Sequence, residues 1–389
     1  MILTLTANPS LDRTIELAGP VLRGQVQRAV WAGQQLGGKG VNVSRAVASA
    51  DRPTRAVLPG DGGDPVLSGL DAIGLAHDSV RTGAPIRSNI TVTEPDGTTT
   101  KINEPGSCLS PETQAELLDL VAAHATDADW VVLAGSLPPG VDDDFYARAI
   151  AVIRTLPQPP AIAVDTSGAP LAAALTQSPD LIKPNAEELA ELLCAAGLLA
   201  KTGLAETGLD EAGQGEAAAQ LTTGELHTIA ARLEASPELT ARATRALLDA
   251  SVPGPRSILA TLGAGGAVLA TRDAAWHASH PPMKVVSTVG AGDCTLAGYL
   301  LGGTDGESPQ DALARAVAYG AAAASLRGTG VPKPDDIDLG AVTVTPLTAP
   351  ASTSAPTQQS TPTPAPGSTP TTDQPNQHAG TAPEAEEAR

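Results

Sequence analysis

LIKPNAEELAELLCAAG, residues 181–197, passes through three structural regimes in one short stretch. Leu181 and Ile182 begin it as a buried strand, Pro184 helps to stop that strand, and the Ala- and Leu-rich remainder carries a helical pattern. Similar short apolar runs recur as ILTLT (2–6), WVVLAGS (130–136), AIAVDTS (161–167), SILATLG (257–263) and AVLAT (267–271). Continuous apolar character, rather than alternation, is the pattern of parallel strands covered on both faces. Helical patterns lie between them, as in ETQAELLDLVAAHA (112–125) and QDALARAVAYGAAAASL (310–326). The alternation predicts an α/β fold with a doubly wound, mostly parallel sheet flanked by helices. In such folds ligands sit beyond the carboxyl ends of the strands.

Two stretches break the alternation, one near 13–33 and one near 86–104. Within the second, RSNITVTEPDGTTTKINEP (87–105) places alternating residues on both sides of the turn signal Pro95-Asp96-Gly97, which predicts a hairpin. The two stretches are expected to pair into a small β flap, a lid over the site; the alternative is an edge hairpin of the main sheet. From about residue 345 the composition turns to Thr, Pro, Ser, Ala and Gln. Such a segment buries too little to offset its ordering entropy, so 1–345 is expected as the folded domain and 346–389 as a disordered tail. A stretch over 197–224, rich in Gly, Ala, Thr and Glu, reads as an insertion between two helices.

Composition removes several classes of function. Aromatic residues make up 2% of the 389, so the core must be built from Ala, Val, Leu and Ile. A formal charge of −19 argues against a nucleic-acid partner, which calls for a basic face, and against anionic membrane surfaces. No apolar run reaches the roughly 20 residues that span a bilayer. The opening strand-like ILTLT is followed by Asn8 and Asp12, without the basic start and apolar middle of a signal peptide, and the chain reads as cytoplasmic. Cys108, Cys194 and Cys294 form no CxxC pair and read as thiols. The six histidines show no metal-ligand spacing, and no GxSxG elbow supports a Ser/His/Asp hydrolase.

The most informative chemical segment is STVGAGDCTLAGYLLG (287–302), a Gly-rich turn leading straight into a helix. Gly290 and Gly292 let the backbone come close to a ligand, and the free amides at a helix start, with Ala291 between them, suit a transferring phosphoryl group. Asp293 stands where a carboxylate can take a hydroxyl proton; taken alone, it is equally a helix N-cap. In LGGKGVNVSRAVASA (36–50), Gly38 permits close approach, Asn42 can donate and accept, and Lys39 adds a cation. Asp12 in NPSLDRT is either an acceptor for sugar hydroxyls or a turn residue. Arg87, Asn89 and Lys101 would bring cations and an amide from the flap, and Ser136 in GSLPPG either lines the pocket or belongs to a structural turn. Lys183, Asn185 and Glu188 fall at a strand end; the last two can orient Mg²⁺-bound water, form a capping box, or do both. TLGAGGA (261–267), with Thr261, Gly263, Gly265 and Gly266, is a candidate wall for a nucleotide.

Taken in order, NPSLD, GGKGVN, IRSN, GSLPPG, KPNAEE, TLGAGG and STVGAGD resemble the ribokinase-like sugar kinases of the phosphofructokinase B family over roughly residues 1–345. Within that family, RGQV (23–26), the lysine of GGKG and TKINEPG are most similar to members that use ATP to phosphorylate D-fructose 1-phosphate at its 6-hydroxyl. The resemblance implies Asp293 as general base, with the amides from Gly290 to Gly292 on the γ-phosphoryl group. It implies Asp12, Gly38 and Asn42 on the sugar hydroxyls, and Lys39 and Arg87 near the substrate phosphate. Lys183, Asn185, Glu188 and the 261–266 turn would serve ATP and Mg²⁺. The flap would exclude water, and its edges offer a homodimer contact. Cys294 departs from the serine that often follows the base in the family. Kinases of tagatose 6-phosphate or fructose 6-phosphate are the same-fold alternatives. A non-catalytic sugar-phosphate sensor stands further off, and a nucleoside kinase would call for a base pocket in place of the cations.

Overall fold

The computed structural model describes residues 1–204, 222–250 and 253–347. The expected tail lies outside them from residue 348 onward, as does most of the expected 197–224 insertion. The strands run in chain order as β1 (Ile2–Thr6), β2 (Ser10–Leu17), β3 (Ala29–Gly37), β4 (Thr54–Pro59), β5 (His77–Val80), β6 (Arg87–Thr93) and β7 (Thr99–Asn103). They continue as β8 (Trp130–Ala134), β9 (Ala161–Asp165), β10 (Leu181–Ile182), β11 (Ser257–Thr261), β12 (Ala267–Thr271), β13 (Ala275–Ser279) and β14 (Thr343–Pro346).

Among the described residues the main sheet has ten strands, in the order β14, β13, β12, β11, β10, β9, β8, β1, β4, β5. Pairing is parallel from β5 to β11 and antiparallel from β11 to β14. From β1 the chain winds outward to β4 and β5, then returns to β8 on the other side and continues away from it. That reversal opens a crevice beyond the carboxyl ends of β1 and β8, where such folds bind ligands. AVLAT differs from its expected parallel setting. Five residues separate it from β11, which permits a hairpin, whereas a parallel crossover takes a dozen or more. Strands β4, β5, β13 and β14 interrupt their apolar residues with groups such as Arg55, Asp78 and His277 and carried no clear run.

Both faces of the sheet are covered, as the apolar strands require. Successive side chains of a strand point to opposite faces. On β1, Leu3 and Leu5 join one core with Leu117, Phe145, Ile150 and Ile153. Ile2 joins the other, with Val43, Val47, Leu296, Leu300 and Leu313. Phe145 and Tyr146, although aromatics are scarce, are fully buried, and the Tyr146 hydroxyl donates to the carbonyls of Ala134 and Gly135 at 3.0 and 2.9 Å. It thereby fixes the loop that leaves β8. No helix among the described residues is long and apolar enough to cross a membrane.

The two irregular stretches form a second, four-stranded sheet in the order β3, β2, β6, β7, rather than extending the edge of the main one. The expected hairpin is β6 and β7, closed by Gly97 N–H to Glu94 O at 3.0 Å, and β2 runs parallel to β6. The Ala291–Thr304 helix packs tightly on the Pro309–Ala324 helix. A side chain at Gly298 would meet the Arg315 carbonyl at 2.8 Å and Ala316 Cα at 3.0 Å, so only hydrogen fits there. Gly298→Ala should force this pair apart and lower stability by about 1–3 kcal/mol, seen as a lower Tm; an unchanged Tm would mean the helices have room to separate.

Candidate active site

The carboxyl ends of β1, β8, β9, β10 and β11 and the underside of the flap enclose a cleft of about 1050 Å³. This is at or above the upper end of single-ligand pockets, roughly 300–1,000 Å³. Asp12, Gly38, Lys39, Asn42, Arg87, Asn89, Lys101 and Ser136 line it, together with Lys183, Asn185, Glu188, Thr261, Gly263, Gly266 and the segment Gly290, Ala291, Gly292, Asp293. Gly265 is not part of the wall: its carbonyl accepts from His277 Nε2 at 2.7 Å. Packing against β13 turns this carbonyl to the sheet.

Gly290, at φ 79°, caps the Ala291–Thr304 helix, and Asp293 makes no cap bond. The first intrahelical bond runs from Cys294 N–H to Gly290 O at 3.0 Å, so the Gly292 and Asp293 amides precede it and can receive an anion. A side chain at Gly292 would stand 3.5 Å from Lys183 Nζ, which sets that ammonium beside the same point. The Asp293 side chain is buried, and Asn42 Nδ2 donates to its Oδ2 at 2.8 Å. Burial, then the charge of Asp165, pushes the Asp293 carboxyl up to about 7, against the pull of Lys39, Asn42 and Lys183.

Asp165, the last residue of β9, escaped the sequence reading and is wholly buried. Its signal was available: a carboxylate closes an otherwise apolar run. Burial alone would raise its carboxyl, but the ammoniums of Lys183 and Lys39 outweigh burial and hold it below the ordinary range. Lys39, expected beside the substrate phosphate, lines the cleft and pairs there with carboxylates. Its Nζ lies 2.7 Å from Asp165 Oδ1 and 3.4 Å from Glu188 Oε1. Burial opposes the Lys39 charge, yet Asp165, Glu188 and Asp293 together raise its pKa well above the usual value. Lys183 Nζ lies 3.1 Å from Asp165 Oδ2, without the alignment of a hydrogen bond.

Asn185 and Glu188 form the capping box. Asn185 Oδ1 accepts from the Glu188 amide and Glu188 Oε2 from the Asn185 amide, each at 2.9 Å. Among the described residues no cluster of three or more His, Cys, Asp or Glu is arranged to cage a metal. Glu188 Oε1, paired with Lys39, and Asp165 Oδ2, paired with Lys183 but without an aligned hydrogen bond, are carboxylate oxygens of the kind that suits a hard divalent ion carried on phosphates and reached through water.

On the flap side, the β2–β6 register sets Asp12 opposite Asn89. Asn89 Nδ2 and Ser10 Oγ donate to Asp12 Oδ1 at 3.1 and 2.7 Å. Burial raises the Asp12 carboxyl, with these bonds opposing it. Arg87 Nη1 donates to Glu104 O at 2.8 Å, and its Nη2 reaches Ser136 Oγ at 3.5 Å. Among the described residues, Arg87 Nε and Asn89 Oδ1 are buried without a hydrogen-bond partner, a costly state that a polar ligand would relieve. Lys101 is exposed on β7 at the cleft margin. The far wall is apolar, with Ala230, Ala231, Pro281, Pro282 and Val285. Nothing local in the sequence marked those positions.

A family model described as pfkB family carbohydrate kinase matches residues 5–336. The chain is 34% identical to a 1-phosphofructokinase of Haloferax volcanii, covering 87% of this chain and 95% of that one. It is 30% identical to an ATP-dependent 6-phosphofructokinase isozyme 2 of Mycobacterium tuberculosis, covering 87% and 88%. The solved structure of Escherichia coli phosphofructokinase-2 in complex with potassium superposes with a TM-score of 0.69 at 26% identity, covering 86% and 96%. With a carboxylate at an anion-receptive helix start inside a shared fold, the chain belongs to the pfkB family of carbohydrate kinases.

Proposed function

We propose that the chain transfers the γ-phosphoryl group of ATP to the 6-hydroxyl of D-fructose 1-phosphate, giving fructose 1,6-bisphosphate and ADP in the cytoplasm. The observation that carries the reading is Asp293, buried in the cleft beside the open amides of its own helix. A base there faces an incoming alcohol while the open amides at the end of the Gly290 to Asp293 turn, those of Gly292 and Asp293, receive the transferring group, the Ala291 amide being donated to Thr288 O. Similarity to 1-phosphofructokinases supports the acceptor. Arg87 and Lys101, with Asn89 and Ser136, would take the sugar's phosphate, and Asp12, Gly38 and Asn42 its hydroxyls. Lys183 and the turn at Thr261, Gly263 and Gly266 would hold ATP, with Lys39 balancing the carboxylates beneath the phosphates. Asn185 and Glu188 would hold a phosphate-borne Mg²⁺ through water, Asp165 adding a carboxylate; when bound, the ion offsets charge on the phosphates.

A homodimer contact on the flap accompanies this reading. Val21, Leu22, Val26, Val30 and Ile102 are large apolar residues exposed on it. Light scattering should give twice the chain mass, and Val26→Glu with Val30→Glu should return it to one; a monomeric wild type would refute the contact.

Asp293→Asn should retain sugar-phosphate binding and lose at least about 10²-fold in kcat. Unchanged turnover would remove the base from its role, and a wild type that binds without turnover would favour a sensor. Across fructose 1-phosphate, fructose 6-phosphate and tagatose 6-phosphate, kcat/KM should be highest for the first; a clear preference for a 6-phosphate overturns the assignment. Proton acceptance takes the ionised carboxylate, so kcat/KM should fall about tenfold per pH unit below about 7 and level off above it. A flat profile through neutrality would be inconsistent with Asp293 as base.

A further inference from the structure

Asn42 and Arg45 lie three residues apart on the Lys39–Ser49 helix, on one face. The two ends of the Asn42 amide are used differently: Nδ2 donates to Asp293 Oδ2 at 2.8 Å, and Oδ1 accepts from Arg45 Nη1 at 3.1 Å. An amide's two ends are nearly the same shape, so packing alone does not select between orientations. Turned over, Asn42 would present an oxygen to Asp293, repelling the carboxylate and favouring its protonated acid. A guanidinium can only donate, so an arginine at this place rejects the turned-over amide.

The arginine is itself held. Its Nη1 also donates to Leu36 O at 2.9 Å, near the end of β3, and to Thr329 O at 3.0 Å. Two protons are shared among three oxygens. Thr329 in turn flanks the anion turn, since a side chain at Gly290 would come 3.6 Å from it. Arg45 does not line the cleft and so does not meet substrate.

We propose that Arg45 is a positioning residue: it locks the Asn42 amide with its donor end toward Asp293 and ties that lock to the flap strand and to the loop beside Gly290. The inference rests on Asp293 being the base. Arg45→Met removes the lock and leaves the cleft wall intact.

The test is a double-mutant cycle of Arg45→Met and Asn42→Ala, with steady-state kcat and KM for fructose 1-phosphate and a melting curve for each variant, and Asp293→Asn measured alongside. In the wild-type background Arg45→Met should lower kcat by about tenfold with KM changed less than about twofold, and in the Asn42→Ala background it should cost little more. Equal loss in both backgrounds, or a raised KM at unchanged kcat, overturns the proposal and leaves Arg45 as a structural tie. Should Arg45→Met fail to fold, Arg45→Gln, whose amide can accept as well as donate and so no longer selects the orientation of Asn42, goes through the same cycle under the same criteria. If Asp293→Asn keeps full turnover, the base assignment itself fails; if it loses turnover while the cycle shows no coupling, only the role of Arg45 fails.

Discussion

A buried cluster of carboxylates and ammoniums at the end of the sheet is the constraint on which the rest of the structure depends. Asp165, Glu188 and Asp293 share one pocket with Lys39 and Lys183. Each of these charges would cost several kcal/mol to bury alone. Together they are tolerable, because each acid finds a cation or a donor within reach. The compensation is incomplete at Asp293, where burial and Asp165 leave a carboxyl that holds its proton to near neutrality. A group in that condition is a poor stabiliser and a well-placed proton acceptor.

The cluster also dictates which elements must meet. Asp165 comes from β9, Lys183 from the turn after β10, Glu188 from the following helix, Lys39 from the first helix and Asp293 from a late one. Only a sheet whose strands end at one edge brings these positions to a common point. Tyr146 holds the loop after β8, and the tight seat of Gly298 against the next helix holds the helix that carries Asp293. The small-residue core is consistent with this, since glycine and alanine let backbones approach where bulk would part them.

The flap contributes a different chemistry. Its β2–β6 pairing places Asp12 against Asn89, and Arg87 from the same strand leans toward Ser136 across the cleft. Among the described residues, Arg87 Nε and Asn89 Oδ1 on this side lack hydrogen-bond partners, whereas the charges beneath the opposite side are ion-paired with one another, Asp165 Oδ2 facing Lys183 without an aligned hydrogen bond. A ligand entering the cleft therefore meets polar atoms seeking partners on one side and a balanced ionic floor on the other.

Much of this was legible in the residues. Runs that are apolar on both faces, such as ILTLT and the AIAV of AIAVDTS, pointed to a sheet covered on both faces, because that arrangement buries successive side chains of a strand. Pro95-Asp96-Gly97 required a turn, and the Gly290 to Asp293 segment, read together with the other motifs, carried the chemistry. The partners were not legible. Glu188, read as a capping residue or a metal-orienting one, is also an ion-pair partner of Lys39, 149 positions away. Lys39, read for its charge alone, is paired with Asp165, and Asn42 reaches Asp293 across 251 positions. Local sequence determines backbone preference and which side chains prefer burial, since those depend on near neighbours and on water. Which charges face one another, and so which acid keeps its proton, depends on distances that exist only once the strands have been brought side by side.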